Sequence, residues 1–189
     1  MSRIFNPRRA TGFPPLSNSR ACILILGSMP GARSLNAGEY YAHPQNQFWT
    51  ILNQLLGASP ALDYAARVKN LLSHHIAVWD VLKHCERPGS LDSSIVRASE
   101  VVNDFAEFFR HHPRVKAVFF NGAKAEQLFR RHALSSLDDF RASLHFERLP
   151  STSPAHASRD LQQKLREWRR VTPFLVPIKA GTPIGSTSE

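Results

Sequence analysis

The 189-residue sequence lacks the features of several large classes of protein. It has two cysteines, Cys22 and Cys85, which are too few for a disulfide framework or an iron–sulfur cluster, and we predict two reduced thiols. No apolar run approaches the roughly 18 residues that a membrane span needs. The N-terminal stretch is basic but has no apolar core of the kind that secretory signals contain. We therefore expect a cytoplasmic protein, associated with the nucleoid if the host is bacterial or archaeal.

Motifs that would identify a chemistry directly are also missing. There is no P-loop, no glycine pattern for dinucleotides, no zinc-deaminase signature and no G-x-S-x-G elbow. The nine histidines are scattered, and the pairs at 74–75 and 111–112 fall at predicted helix ends. There, imidazole more often caps carbonyls or faces solvent than binds a metal. We predict neither a metal nor a cofactor.

Acidic residues are scarce in the first part of the chain. No acid appears before Glu39, whereas five arginines do, and the net charge of the whole chain is +9 with a pI near 10.3. So basic a domain is typical of proteins with a polyanionic partner, most often nucleic acid, although charge alone also fits a merely basic protein. A second basic group falls in the last predicted helix: Arg159, Lys164, Arg166, Arg169 and Arg170.

Short apolar runs alternate with segments of helical periodicity, and this alternation predicts an α/β fold. We expect a three-layer α/β/α arrangement around a central, mostly parallel four-stranded sheet. The predicted strands are 21–27, 76–82, 115–120 and 144–149, and the predicted helices are 47–57, 60–75 (with Pro60 in its first turn), 100–112, 123–131 and 159–170.

The pattern predicts one domain over residues 1–174. Residues 1–11 are expected to be a flexible arm and 175–189 a flexible tail, because chain ends are where disorder concentrates. No internal repeat or heptad pattern occurs. We therefore expect a monomer without an obligate protein partner.

The segments that follow the four predicted strands have the most unusual compositions in the chain. The first, 27–46, is far longer than the roughly 2–6 residues of an ordinary strand-to-helix connection and contains two tyrosines, a histidine and two asparagines. Parallel sheets bind ligands beyond the carboxyl ends of their strands. The site is therefore expected in 27–46, 83–94, 121–122 and 150–157.

Most residues at these strand ends are neutral and polar. Aromatic rings and amides together can stack a flat ligand and hydrogen-bond its edge, which is how a flipped-out base is read. Hydroxyls on a proline-stiffened loop suit phosphate oxygens, and a basic exterior suits DNA. The candidates are Ser28, Asn36, Tyr40, Tyr41, His43, Asn46, Asn121, Ser151, Thr152 and Ser153, with Asp80 and Asp92 as the nearby acids.

Two motifs together resemble the uracil-DNA glycosylase superfamily. They are G-S-M-P-G-A-R-S-L with E-Y-Y-A-H-P-Q-N-Q-F-W, and L-P-S-T-S-P-A-H-A. The chain is most similar to the hypoxanthine-DNA (deoxyinosine) glycosylase branch, and the first motif also resembles the mismatch-specific uracil-DNA glycosylases. The resemblance spans residues 12–168. It implies a monofunctional glycosylase of base excision repair that removes hypoxanthine first, and uracil or xanthine second, from DNA and leaves an abasic site.

The resemblance also implies roles for residues of the first motif. The third position of G-x-x-P-G, where the superfamily places the residue that activates water, is Met29, and a thioether cannot hold a water molecule. In the hypoxanthine branch this role passes to Asn46, and Asn121 matches a second functional position. Tyr41 matches the aromatic residue that stacks on the extruded base.

The remaining expected roles concern base contact and DNA contact. Ser28, Met29, Asp80 and Asn121 are the expected base-binding residues beside Tyr41. Ser151, Ser153 and His156 match the loop that grips phosphate and enters the duplex, and Arg159 is added to this DNA-binding group.

Each residue also has a purely structural interpretation. Asn46 precedes a helix and can be its N-cap, Asn121 can be a turn residue, Tyr41 can pack the core, and Asp80 can cap a neighbouring loop. Two other functions stay open. One is a non-catalytic nucleic-acid-binding module, which Met29 favours, and the other is a hydrolase of free nucleosides or nucleotides, which the basic charge disfavours.

Overall fold

The computed structural model of the protein describes residues 9–175. Its strands form two sheets. In chain order the strands are β1 (Arg9–Thr11), β2 (Ile23–Gly27), β3 (Ile76–Asp80), β4 (Leu82–Glu86), β5 (Val101–Val102), β6 (Ala117–Asn121) and β7 (His145–Leu149). The helices are α1 (Ala32–Ala37), α2 (Phe48–Leu55), α3 (Tyr64–Ser73), α4 (Phe105–His111), α5 (Ala123–His132), α6 (Asp138–Arg141) and α7 (Leu161–Trp168), with short 3-10 helices at Asp92–Ser94, Arg97–Ser99, Leu134–Leu137 and Arg169–Phe174.

The larger sheet confirms the predicted centre of the fold. Its four strands are all parallel, in the order β3–β2–β6–β7. Strands β2 and β3 are buried along their whole length. Continuous apolar runs of this kind are what a parallel sheet covered on both faces requires. All four predicted strands are present, and their ends lie within two residues of the predicted ones.

Helices cover both faces of this sheet, which confirms the three-layer arrangement. On one face α2, α3 and α7 bury Phe48, Leu71 and Trp168 against the strands. On the other face α4 and α5 bury Phe105 and Phe129. Each helix contributes one apolar stripe, and the stripes and the sheet together form the two halves of the core.

Two predicted helices begin later than expected because their caps lie further along the chain. Helix α3 begins at Tyr64, where the Asp63 carboxylate accepts a 2.8 Å hydrogen bond from the Ala66 N–H, so Pro60 lies before the helix and not in its first turn. Helix α4 begins after Asp104, which caps it in the same way. A side chain that satisfies a free N–H fixes where a helix starts.

A small antiparallel sheet of order β1–β4–β5 was not predicted. It corrects two expectations, since Arg9–Thr11 is a strand and not part of a flexible arm, and part of the predicted loop 83–94 is strand β4. Strand β4 has one buried position beyond Leu82, namely Cys85, so its sequence carries little apolar alternation. The rest of the expected arm, 1–8, and most of the expected tail, 176–189, lie outside the described residues.

Within residues 9–175, no helix combines the length and apolar character that a membrane-crossing segment needs. In the same range, no three His, Cys, Asp or Glu side chains converge as metal ligands would.

Candidate functional site

The carboxyl ends of the parallel strands bring the predicted site segments together. Gly27, at the end of β2, lies beside Asp80, at the end of β3. Asn121, at the end of β6, lies beside Leu149, at the end of β7. The loops that follow these four residues therefore emerge at one edge of the sheet, as expected for a fold of this class.

Gly27 is the floor of the site because two polar side chains lie directly over it. A Cβ atom at this position would overlap Asp80 Oδ1 and would lie 3.1 Å from the Tyr41 hydroxyl oxygen. No side chain larger than hydrogen fits without moving one of them. The close approach brings together Tyr41 and Asp80, two of the predicted base-binding residues.

The polar atoms of this pair are buried and unpaired. Among the described residues, neither the Tyr41 hydroxyl nor Asp80 Oδ2 has a partner within hydrogen-bond geometry. Burial and the nearby carboxylate of Asp92 raise the pKa of Asp80 to about 8, although the Arg87 guanidinium opposes this rise. Burial and the Asp80 charge likewise raise the pKa of Tyr41. The Asn121 side chain opposes part of the rise at Tyr41. At neutral pH both groups therefore carry protons, and both O–H groups are potential donors buried over Gly27.

The backbone of Tyr41 is held in a conformation that few non-glycine residues adopt. Its φ angle is +56°, and its ring stacks on Phe48 with centroids 3.8 Å apart. The positions on either side are fixed, since the Tyr40 N–H donates to the Tyr64 hydroxyl at 3.0 Å and the Ala42 N–H donates to Ser34 Oγ at 3.1 Å. Such backbone strain persists only when the surroundings impose it, and it is common at functional sites.

Ser28 and Met29 do not join this pair in the expected way. The Ser28 hydroxyl donates to Asp92 Oδ2 at 2.7 Å, which ties the first loop to the loop after β4. The Met29 side chain is buried in the apolar core between the sheet and the helices α4 and α5. Its thioether therefore contributes packing, and the Met29 carbonyl accepts a hydrogen bond from Arg87.

Arg87 supports the first loop and was missed by sequence reasoning. Its guanidinium is buried and donates to the carbonyls of Met29 and Pro30, while its Nε has no partner among residues 9–175. These hydrogen bonds fix the backbone of the G-x-x-P-G turn. The guanidinium also places a positive charge near Asp80. The residue stands in a polar, turn-rich run, so no periodic pattern distinguishes it from a solvent-exposed arginine.

Asn46 lies just before helix α2 and also faces a cavity. The N-cap of α2 is Gln47, not Asn46 as the structural interpretation expected, and no side chain caps the helix. Asn46 Oδ1 instead accepts a 3.0 Å hydrogen bond from the Phe48 N–H, which closes a local turn. Asn46 also lines a cavity of about 410 Å³ together with Tyr41 and His43. A carbonyl oxygen has two lone pairs, so this bond leaves one for a ligand or a water molecule.

Asn121 connects the loops rather than standing free. Its side-chain amide makes two hydrogen bonds to Thr152, which is fully buried. The Thr152 carbonyl accepts a further 3.0 Å hydrogen bond from the Gln47 N–H, one residue after Asn46. Thr152 thereby joins the loop after β7, the end of β6 and the start of α2. Only its place between two serines singled it out in the sequence.

The predicted DNA-binding residues lie together on the loop after β7. Ser151 Oγ accepts from the Ser153 N–H at 3.2 Å, and Ser153 Oγ accepts from the Ala155 N–H at 3.3 Å, so both hydroxyls support local turns. His156 and Arg159 are exposed, and Arg159 pairs with Glu167. Ser151, His156 and Arg159 line a second cavity, of about 330 Å³, beside the N-terminus of α5.

Comparison with known proteins agrees with this geometry. The family model described as "Uracil DNA glycosylase superfamily" matches residues 14–173. Two curated proteins named hypoxanthine DNA glycosylase, from Methanosarcina barkeri and Methanosarcina acetivorans, are 38% and 36% identical to the chain over 115 residues, which are 60% of this chain and 72% of theirs. The solution NMR structure of a uracil DNA glycosylase candidate from M. acetivorans has a TM-score of 0.70 and 31% identity, and the match covers 86% of this chain and 96% of that one.

Proposed function

The chain belongs to the uracil DNA glycosylase superfamily, and from this premise we propose that it removes hypoxanthine from DNA. The protein is a DNA glycosylase for deaminated bases; hypoxanthine is its first substrate, with uracil or xanthine second. The reaction breaks the bond between base and deoxyribose and leaves an abasic site for base excision repair. The observation that carries the proposal is the pair of unpartnered donors, Tyr41 and Asp80, above Gly27.

Two O–H donors suit a hypoxanthine base in particular. Hypoxanthine presents the O6 and N7 acceptors on one edge, as guanine does. When the glycosidic bond breaks, its electron pair moves onto the base, and donors aimed at that edge stabilise the developing negative charge in a site from which water is excluded. A carboxylate at Asp80 would repel this charge, whereas the protonated acid donates to it.

Asn46 is proposed to supply the attacking water, which its place in the wall of the larger cavity supports. The transition state of base removal is oxocarbenium-like, as in other glycoside hydrolyses. The Asn46 carbonyl holds a water molecule whose oxygen bonds to the sugar C1′ while the bond to the base breaks, and the water's proton ends on the departing base. A neutral amide is a weaker base than a carboxylate, so we expect a modest turnover.

Asn121 acts mainly as a positioning residue, because both ends of its amide contact Thr152. The first loop, 27–46, contains no lysine, so no amine is available there to form a Schiff base with the abasic sugar. The protein is therefore proposed to be monofunctional, without lyase activity. Ser151, Ser153, His156 and Arg159 are proposed to contact the DNA backbone, and the enzyme to act as a monomer.

The test uses labelled duplexes that contain one hypoxanthine, uracil or xanthine, treated with alkali after incubation with the protein. We expect hypoxanthine DNA to be cut only after alkali, and Asn46→Ala to lose most of this cutting while still binding DNA. Asn36→Ala is the matched control, since Asn36 is exposed on α1. If Asn46→Ala cuts as well as Asn36→Ala, Asn46 only supports the turn that precedes α2. If the wild type binds all three duplexes and cuts none, the protein is a binding module.

A further inference from the structure

The edge of the large sheet where its strands begin lies opposite the candidate site and is strongly basic. Its basic side chains stand on three segments that lead into neighbouring strands and are here called the cationic face: Arg20, His74, His75, Arg114 and Lys116. We propose that the cationic face binds a second segment of duplex DNA while the candidate site holds the first. The inference rests on the proposed function, because it takes DNA as the partner.

Backbone hydrogen bonds hold the segments of the cationic face side by side. The Cys22 N–H donates to the His75 carbonyl at 2.7 Å, and the Lys116 N–H donates to the Cys22 carbonyl at 2.8 Å. The Lys116 carbonyl in turn accepts the His145 N–H at 2.8 Å. The segments therefore form a continuous row along this edge, with about 4.8 Å from one strand to the next.

The row is fixed before any ligand binds, because the segment before β2 is tied to helix α3. The side-chain amide of Asn18 donates to the Leu72 carbonyl at 3.0 Å and accepts the Arg20 N–H at 2.9 Å. The turn from α3 into β3 contains His75, whose φ angle of +60° few non-glycine residues adopt. A backbone that is ordered in the free protein reduces the entropy that binding costs.

The cations of this face have no acidic partner in the described part of the chain. Arg20, Arg114 and Lys116 are exposed, and among residues 9–175 none of them forms an ion pair. Glu147, near the start of β7, is already paired with Arg170 at 3.0 Å. The positive charge at this edge is therefore left for an anion from outside the chain.

The state of His75 shows that these cations lie close together. Burial lowers the pKa of His75, and the nearby charges of Arg20, Arg114 and His74 lower it further. Within residues 9–175, no carboxylate is among the charges that act on this imidazole. Like charges held together repel one another, and a polyanion laid across them removes the repulsion.

The position of the cationic face favours a DNA segment other than the one being repaired. Each strand of the large sheet has five residues, so its two edges are at least about 13 Å apart. Duplex DNA is stiff over about 150 base pairs, so a duplex at the candidate site does not turn back to the opposite edge. A second segment reaches it directly, and its closely spaced phosphates match a row of cations.

The test measures how fast a labelled, undamaged duplex leaves the protein as unlabelled duplex is added. If the second duplex binds before the first leaves, the dissociation rate should rise several-fold between about 1 and about 100 µM competitor, the range of non-specific affinities. The double variant Arg20→Gln/Arg114→Gln should dissociate at a rate that does not depend on the competitor. Arg20→Lys/Arg114→Lys keeps both charges and should behave as the wild type.

The matched control for net charge is Lys83→Gln/Arg97→Gln, since both residues are exposed and lie beyond the carboxyl end of β3. Its dissociation rate should still rise with the competitor. Thermal unfolding checks that each variant is folded. Single-turnover cutting of hypoxanthine DNA should be the same in the wild type and in Arg20→Gln/Arg114→Gln, because neither arginine is at the candidate site.

A wild-type rate that the competitor leaves unchanged overturns the proposal, and so does a competitor effect that persists in the folded glutamine variant. Stabilisation by a poly-glutamate peptide that needs the two arginines, without any competitor effect, would assign the face to an acidic protein and overturn it too. Undamaged DNA makes the result independent of base removal. If the wild type cuts no hypoxanthine DNA but shows the arginine-dependent competitor effect, the cationic face stands and the proposed reaction fails.

Discussion

The side chain of Asn121 binds Thr152 twice, with its Oδ1 accepting from the Thr152 N–H at 2.8 Å and its Nδ2 donating to Thr152 Oγ1 at 2.9 Å. The two residues lie 31 positions apart in the chain, and Thr152 is fully buried. Through this pair the end of β6 determines where the loop after β7 runs. The Thr152 carbonyl on this loop accepts a hydrogen bond from the Gln47 N–H. This bond determines where α2 starts and therefore where Asn46 lies.

Substitutions at Asn121 and Thr152 should separate the contributions of the two hydrogen bonds to stability. Asn121→Ala leaves the buried Thr152 N–H unpaired, so we expect a loss of about 1–3 kcal/mol in the free energy of unfolding. Thr152→Val keeps that N–H bonded to Asn121 and loses the hydroxyl contact, so its loss should be the smaller one. Urea unfolding measures both. Equal losses would show that the Thr152 N–H bond contributes nothing beyond the hydroxyl contact.

The pH dependence of the free energy of unfolding should reveal the raised pKa of Asp80. Its pKa is raised from 3.8 to about 8 in the folded protein, so between these values the folded state binds a proton that the unfolded state has lost. Stability should therefore fall as the pH rises from about 4 to about 8, because the slope follows the difference in bound protons. Asp80→Asn cannot titrate, and urea unfolding of this variant should lack that part of the pH dependence.

Activity should depend on the same proton. If protonated Asp80 donates to the departing base, single-turnover cutting of hypoxanthine DNA should decline above about pH 8, where the carboxyl ionises. Asp80→Asn retains a donor that does not ionise, so its remaining activity should show no such decline. A decline of the same size in wild type and variant would assign the titration to another group.

The sequence patterns predicted the central sheet because its four strands are continuous apolar runs, and such runs are hard to place anywhere except in a covered parallel sheet. They also predicted which loops meet, because the carboxyl ends of parallel strands share an edge. The placement of Tyr41 and Asp80 at this edge was predicted, and their roles stay predictions. Their approach over Gly27 was not, because it depends on the positive φ angle of Tyr41.

The small antiparallel sheet and Arg87 could not be predicted for a common reason. Strand β4 pairs with β1 and with β5, which are three and two residues long, so its stability comes from pairing between distant segments and not from its own composition. Arg87 is buried only because the G-x-x-P-G turn presents two carbonyls to it. Such a contact exists only in the folded chain and leaves no periodic signal.

Gly27→Ala tests the close approach of Tyr41 and Asp80. The added methyl group would overlap Asp80 Oδ1, so we expect a loss of about 1–3 kcal/mol in the free energy of unfolding, as for other overpacked sites, and a large loss of base removal. Gly31→Ala is the control, because a Cβ atom there has nothing within 4 Å. Gly31→Ala should lower the free energy of unfolding by less than about 1 kcal/mol, the effect of placing alanine at the N-cap of α1. Similar effects of Gly27→Ala and Gly31→Ala would mean that Asp80 and Tyr41 can move aside for a methyl group at position 27.

Tyr41→Phe and Tyr64→Phe should have opposite effects although each removes one hydroxyl group. The Tyr41 hydroxyl is buried without a partner, so its removal should leave stability unchanged or slightly higher while the ring still stacks on Phe48. If this hydroxyl donates to hypoxanthine, single-turnover base removal should slow by about tenfold, the effect of one lost hydrogen bond of about 1.4 kcal/mol.

The Tyr64 hydroxyl, in contrast, accepts the Tyr40 N–H at 3.0 Å. Its removal should lower the free energy of unfolding by about 1 kcal/mol. Thermal unfolding and single-turnover cutting, measured on both variants, give the comparison. A destabilised Tyr41→Phe with unchanged cutting would show that the hydroxyl binds a protein group and not the base, and the donor pair above Gly27 would then be reduced to Asp80 alone.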